Sequence, residues 1–245
     1  MRVFRKLTWV ELKLFLREPL TVIFALALPL VVLFVLGGVF GNQAEADVYR
    51  GVGAMDYYVP AYVAFVCASV GLISLPMHIA SNRERGVLKR YHASGITPIP
   101  LVASQVVVAI VISVVSAVVL IAVATPVYDV ISPDSLALTI GGFGLVAIAF
   151  AAVGMLLGAV LPSARSAQAL GVLLWFVLLM IGGAGPPPEV MNDTMSTIGD
   201  FTPLKHAIYV LQEGWLSLDP GSSWLVVAGI AAVAAIGAVV FFRWE

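Results

Sequence analysis

Six stretches of this sequence run for the length of a membrane-crossing helix without one formal charge. "LVASQVVVAIVISVVSAVVLIAVA", Leu101 to Ala124, is the plainest of them. A helix needs roughly 17–25 such residues to cross about 30 Å of hydrocarbon. A soluble domain has no way to cover them, because 61% of the residues are hydrophobic and only 11% are charged. The runs are continuous and do not alternate apolar with polar, which excludes a membrane β-barrel. The expected fold class is an all-α polytopic membrane protein, with residues 1–245 forming a single transmembrane domain.

Transmembrane helices are predicted at about Leu20–Phe40, Tyr58–Ala80, Leu101–Val123, Leu136–Leu161, Ala167–Gly183 and Trp224–Phe242. With the N-terminus inside, Arg2, Arg5, Lys6, Lys13, Arg17, Arg83, Arg85, Lys89, Arg90, Arg165 and Arg243 are cytoplasmic. That is 11 of the 13 cations, and only Arg50 and Lys205 remain outside. Of the 14 acids, all but Glu11, Glu18, Glu84 and Glu245 fall outside. The positive-inside rule therefore places both termini in the cytoplasm. "AEA" at Ala44–Ala46 resembles a signal cleavage site. The apolar run before it is too long for a signal peptide and its leading residues include acids, so an uncleaved first helix is expected.

Residues 1–19 read as an interfacial helix. Arg2, Arg5, Lys6, Lys13 and Arg17 share one arc beside Val3, Leu7, Val10 and Leu14, with Leu12 and Leu16 as intruders. Pro19 then turns the chain into the bilayer. The outer segment 184–223 is long and only partly polar. Leu204, Ile208, Leu211 and Trp215 recur at helical spacing, which predicts one or two short helices dipping into the outer leaflet. Pro186, Pro187 and Pro188 would stiffen its start, and Pro203 suits a first helical turn.

Several chemistries lack their residues. No lysine follows a glycine, so the chain has no Walker-type ATP loop. His78, His92 and His206 show no metal-ligand spacing, and the single Cys67 excludes an intrachain disulfide or a Cys-based zinc site. No predicted span carries a charge to serve a proton relay. Lys205 and Glu213 reach membrane depth if the last outer segment is re-entrant, and are interfacial otherwise. Gly37-x-x-x-Gly41 and Gly154-x-x-x-Gly158 match a helix-packing pattern, but a glycine content of 22 makes such pairs ordinary.

Between the second and third spans lies "SNRERGVLKRYHAS", with Arg83, Arg85, Lys89 and Arg90 inside eight residues. Two readings stand. The cations fix the loop on the cytoplasmic side, or they rim a docking helix whose apolar ridge is Val87, Leu88 and Tyr91. In the second reading Gly86 weakens that helix by roughly 1 kcal/mol relative to Ala.

Three stretches resemble the ABC-2 type permeases, the membrane subunits of ATP-driven exporters. "LREPLTVIFALALPLVVLFVLGGVFG" is similar to their interfacial helix and first span with a mid-helix proline, here Pro29. "NRERGVLKRYHASGITPIPLVASQ" is similar to the signature E-R-E-x-G-T-L-E-x-L-x-x-x-P-I/V, and departs from it in carrying Lys89 or Arg90 where the family often has an acid. "DFTPLKHAIYVLQEGWLS" is similar to the stretch before the last span. The resemblance implies that 81–100 is a cytoplasmic coupling-helix loop, with Arg83, Glu84, Arg85, Gly86, Leu88 and Arg90 seated on a separate ABC ATPase subunit. It implies an assembly of two permeases, identical or paralogous, with two ATPases, and a re-entrant extracellular gate at Pro186, Pro187, Pro188, Phe201, Thr202, Pro203 and Leu204. The first and fifth spans would form the dimer interface.

On that resemblance the chain is no enzyme. It is a permease of the bacterial inner membrane, akin to drug-resistance exporters, with no cofactor of its own, ATP and Mg being bound by its partner, and with no nucleic-acid partner. The apolar spans favour a hydrophobic or amphipathic cargo such as a drug, antibiotic or lipid, with polar contacts from residues such as Ser69, Ser113 or Thr139. The competing readings are an anchor or sensor subunit docking through Arg83–Arg90, and a membrane-embedded enzyme, for which no clustered polar site exists within the spans.

Overall fold

The computed structural model describes residues 5, 8–10, 12–13, 23–43, 46–93, 95 and 98–241. In chain order its main helices are α1 (Leu28–Phe40, entered through a π-helical turn Ile23–Ala27), α2 (Ala54–Glu84), α3 (Val87–Ala93) and α4 (Pro98–Tyr128). They continue with α5 (Leu136–Val160), α6 (Ala164–Ile181), α7 (Asp193–Gly199), α8 (Pro203–Leu216) and α9 (Ser223–Phe241). Five of them are long and apolar enough to cross a membrane: α2, α4, α5, α6 and α9. The apolar helix Ile23–Val39 is shorter. No strand occurs among the described residues.

Every residue of α2 from Ala54 to Asn82 is buried. Helices α1, α4, α5, α6 and α8 surround it, while α9 packs mainly on α5. At 31 residues α2 is about 46 Å long, well beyond the hydrocarbon thickness, so its ends project. Such close enclosure needs small residues at the crossings. Around the π-helical turn Val70–Ser74, a Cβ on Gly71 would collide with the Phe150 carbonyl. One on Gly154 would collide with the Gly71 carbonyl, and one on Gly171 with that of Leu72. Three glycines thus let the backbones of α2, α5 and α6 touch.

The helices start and stop where tertiary contacts allow, which moves several expected boundaries. α2 begins at Ala54 instead of Tyr58. Its cap comes from another loop, where Asn42 Oδ1 accepts from Met55 N–H (2.9 Å) and Asp56 N–H (3.3 Å). Asp56, expected in the outer connection, is buried in the first helical turn and accepts from Ile131 N–H at 2.9 Å. An acid there complements the helix dipole. α4 passes through Pro126 to Tyr128, because Asn42 Nδ2 donates to the Tyr128 carbonyl and the Tyr128 ring fills the space beside Gly37. α6 begins at Ala164, ahead of the expected Ala167, with a capping box between Ser163 and Ser166.

The expected outer helices are present as α7 and α8. Leu204, Ile208, Leu211 and Trp215 are all buried, as their spacing required. α8 runs between α2, α5 and α9. Pro203 and Phe150 wall one small cleft, whereas Gly214 abuts Thr139 and Gln212 Nε2 donates to the Tyr57 carbonyl. The helix therefore starts about 21 Å along α5 from its Leu136 end and climbs back toward that end.

At the N-terminus, Arg5, Trp9, Val10 and Lys13 are exposed helical residues, and the Lys13 ammonium lies 5.0 Å from the Trp9 ring centre. Arg2, Val3, Lys6, Leu7, Glu11, Leu14, Leu16, Arg17, Pro19, Ala44, Glu45, Arg243 and Glu245 lie outside the described residues, and so does most of the interfacial arc.

Candidate coupling loop and outer segment

At the Glu84 end of α2, two adjacent residues fasten the turn between α5 and α6. The last carbonyls of α5 have no intrahelical donor, and α5 has no basic residue in its last turn. Arg83 supplies both the donors and the charge. Its Nη1 donates to the carbonyls of Gly158 (3.0 Å) and Ala159 (3.3 Å), and its Nη2 to that of Leu161. The first N–H groups of α6 have no intrahelical acceptors, the Ser163 side chain serves only that of Ser166, and α6 has no acid in its first turn. Glu84 Oε1 accepts from Ala164 N–H at 3.1 Å. Both charges complement the dipoles of helices that are not their own.

α2 ends at Glu84, and Gly86 then turns the chain with φ +68° into α3. Gly86 therefore stands in the turn, outside the helix that it was expected to weaken, and the sign of a substitution reverses. A Cβ there meets no neighbour, so only the backbone resists. Gly86→Ala is expected to destabilise by about 1 kcal/mol, and Gly86→Asn by less. Thermal unfolding of both variants in detergent checks this.

The expected apolar ridge also needs correction. Leu88 is buried within the chain and Val87 and Tyr91 are half-buried, so the ridge seats α3 on its own protein. Arg85, Lys89 and Arg90 are the exposed cations of the loop. A cleft of about 490 Å³ lies between Arg83, Glu84, Gly86 and Lys89 on one side and Leu161 and Pro162 on the other.

At the opposite end, the Gly182–Gly185 turn lies over a column of aromatic rings. Tyr58 Oη donates to the Gly185 carbonyl (2.7 Å) and Tyr62 Oη to that of Ala184 (2.9 Å). Rings then follow in contact from Tyr62 through Phe65 to Trp175. Of the expected gate residues, Pro188 packs on Gly183 and Leu204 on Gly182, so the structure brings these two together across the turn. Thr202 caps α8 by accepting from Lys205 N–H, with Pro203 in the first turn. Phe201 stands apart at 86% exposed, Pro187 is buried and Pro186 is exposed. A cleft of about 430 Å³ opens beside Pro186 and Pro187, walled by Leu36, Tyr49, Tyr58 and Val190.

Arg50, singled out only as an outer cation, and Lys205, also expected at membrane depth or the interface, meet here. Lys205 is buried and donates to Asp200 Oδ1 at 2.6 Å, and Arg50 Nε lies 3.8 Å from Glu189 Oε1. Both cations lie against the ring of Tyr209. Burial raises the Tyr209 hydroxyl above its ordinary pKa and Glu189 adds to the rise, with Arg50 opposing, so the ring stays neutral.

Of the polar residues expected to meet cargo, Ser69 and Ser113 are buried and Thr139 bonds within its own helix. Ser69 accepts from Trp175 Nε1 at 2.7 Å, and Thr139 donates to the Ser135 carbonyl at 2.9 Å. His78 contacts Asn82 at 3.0 Å, and His206 joins the Asp200 carbonyl to Ser223. Glu213, which the sequence left at membrane depth or the interface, accepts from Trp224 Nε1. Sequence reading missed Asn42, Asp56 and the tyrosine column. Only the run Tyr57-Tyr58 with Tyr62 at helical spacing pointed to the last.

Apolar helices packed around a central one buried from Ala54 to Asn82, with a charged loop beyond its Glu84 end, define a multi-pass membrane domain. The family model described as ABC-2 type transporter matches residues 2–216. The chain belongs to that family and is a membrane permease component of an ABC transporter, a class that works with an ATPase partner and does not itself bind ATP. No curated protein matches the chain.

Proposed function

We propose that this permease belongs to an ATP-driven exporter of the bacterial inner membrane and carries a hydrophobic or amphipathic cargo, such as a drug, antibiotic or lipid. Two permeases, identical or paralogous, pair with two ATPase subunits. Six spans, the first being the charge-free run Leu20–Phe40 of the sequence, place both termini in the cytoplasm. The observation that carries this reading is the inner end of α2. It presents Arg85, Lys89 and Arg90 outward, while Arg83 and Glu84 fasten it to two other helices. A push on α3 is thus delivered to α2, α5 and α6 together.

ATP binding closes the ATPase pair and moves the docked loop, and the fastened helices tilt as near-rigid bodies. Cargo leaves because its affinity differs between the inward and outward states. The Gly182–Leu204 segment, including Pro186, Pro187, Pro188, Phe201, Thr202 and Pro203, acts as the outer gate. ATP and Mg reside on the partner.

Gentle detergent purification from the native cell tests the docking. An ATPase subunit is expected at about one per permease, and Arg85→Glu with Arg90→Glu is expected to remove it, since desolvated charge pairs are each worth about 2–5 kcal/mol when broken. Thermal unfolding of the double variant in the same detergent separates loss of docking from loss of fold. A permease that retains its ATPase after both reversals, or co-purifies with another complex, would assign the loop to topology or anchoring.

A further inference from the structure

The charge distribution leaves two cations on the outer side, and the structure brings both to one tyrosine. The Arg50 guanidinium carbon lies 5.5 Å from the centre of the Tyr209 ring, and Lys205 Nζ lies 5.9 Å from it. Each cation also has an acid from the outer segment: Asp200, ending α7, for Lys205 and Glu189 for Arg50. Tyr57 Oη adds a hydrogen bond to Glu189 at 3.4 Å. Four separate pieces of chain therefore meet at one ring: the first outer connection, α2, the segment after α6, and α8.

We propose that Tyr209 is the positioning residue of the outer gate, a clamp that holds the segment Gly182–Asp200 closed over the tyrosine column of α2. This rests on the gating role proposed for that segment. The ring does what a carboxylate at that place would not. Its face attracts both cations without neutralising either, so each keeps its own acid on the moving segment. Arg50 is committed to the arrangement by its backbone, which holds the left-handed φ of +58° rare for a side chain of this size. Such conformations persist where surrounding contacts over-determine them. Opening the gate breaks the Arg50–Glu189 contact and the bonds from Tyr58 and Tyr62 to the turn, and it uncovers Ala184, now fully buried.

Ala184→Cys in a Cys67→Ala background gives a thiol that a membrane-impermeant maleimide reaches only when the segment lifts. The full permease–ATPase complex is reconstituted in liposomes, and the labelling rate is compared among variants. Tyr209→Leu is expected to accelerate labelling about tenfold or more, and Arg50→Gln, which leaves the ring in place, to act in the same direction. Tyr209→Phe keeps the ring face and is expected to label like the parent. Each gate variant is also made with native Cys67 and without Ala184→Cys, and that buried α2 thiol should stay protected, which separates local release from unfolding.

Labelling that is unchanged in Tyr209→Leu and Arg50→Gln overturns the clamp, as does an equal acceleration in Tyr209→Phe. The gating role is read separately, from the parent complex with a non-hydrolysable ATP analogue. If the analogue leaves Ala184→Cys labelling unchanged while Tyr209→Leu raises it, the clamp stands and the segment is not the nucleotide-driven gate.

Discussion

Gly71→Ala is expected to destabilise the permease by about 3 kcal/mol, and Gly71→Leu to leave no folded protein. Overpacking a core ordinarily costs about 1–3 kcal/mol, because neighbouring side chains shift to make room. At Gly71 the atoms in the way are the backbone carbonyl and Cβ of Phe150, which belong to the α5 helix itself. Relief requires α5 to move off α2, and the neighbouring contact of Gly154 with the Gly71 carbonyl would open with it. Gly229→Ala gives the opposite sign. It lies inside α9 with no atom near its Cβ position, so the gain in helix propensity is expected to stabilise by about 0.5–1 kcal/mol. Thermal unfolding of both variants in one detergent checks the pair. Equal responses would mean that the contact between helix backbones contributes nothing.

The helical class and its apolar spans were legible because burying apolar surface and satisfying backbone hydrogen bonds in lipid leave few solutions. What the sequence did not reveal was supplied by contacts distant in the chain. Asn42 caps α2 from 13 residues away and also holds the last turn of α4, so no local signal marked either boundary. The pair Gly154 and Gly158 was unremarkable by number, yet both sit on α2, against Gly71 and Ile79. A spacing that recurs by chance becomes informative only once its partner helix is known.

The coupling loop shows the same division at the level of single residues. Arg83, Glu84, Gly86 and Leu88 match the signature that the sequence resembles, and each also serves the permease's own fold. Arg83 caps α5, Glu84 caps α6, Gly86 turns the chain and Leu88 seats α3. Arg85, Lys89 and Arg90 lie between and beyond them and face outward. Sequence spacing put all of these on one docking surface, because it does not distinguish a charge that fastens helices from one that meets a partner. The structure shows what Arg83 and Glu84 fasten, and it leaves Arg85, Lys89 and Arg90 exposed, as the proposed docking requires.

Arg83→Ala is accordingly expected to do more damage than any exposed cation of the loop. It leaves the carbonyls of Gly158, Ala159 and Leu161 without this donor and removes a charge from the end of α5. Hydrogen bonds to a charged group contribute about 1.5–3 kcal/mol, and the guanidinium reaches three acceptors with one planar fork. A loss of about 2–3 kcal/mol follows, whereas Arg85→Ala should change stability by less than about 0.5 kcal/mol. Arg83→Lys keeps the charge but not the fork, and is expected to fall between the two. Unfolding in detergent ranks the three. A second readout reports function: in the assembled complex, Arg83→Lys should leave ATP hydrolysis running while reducing its effect on labelling at Ala184→Cys. If hydrolysis and labelling remain fully linked in a stable Arg83→Lys complex, the force from α3 reaches the outer segment through α2 alone, and the fastening to α5 and α6 serves stability only.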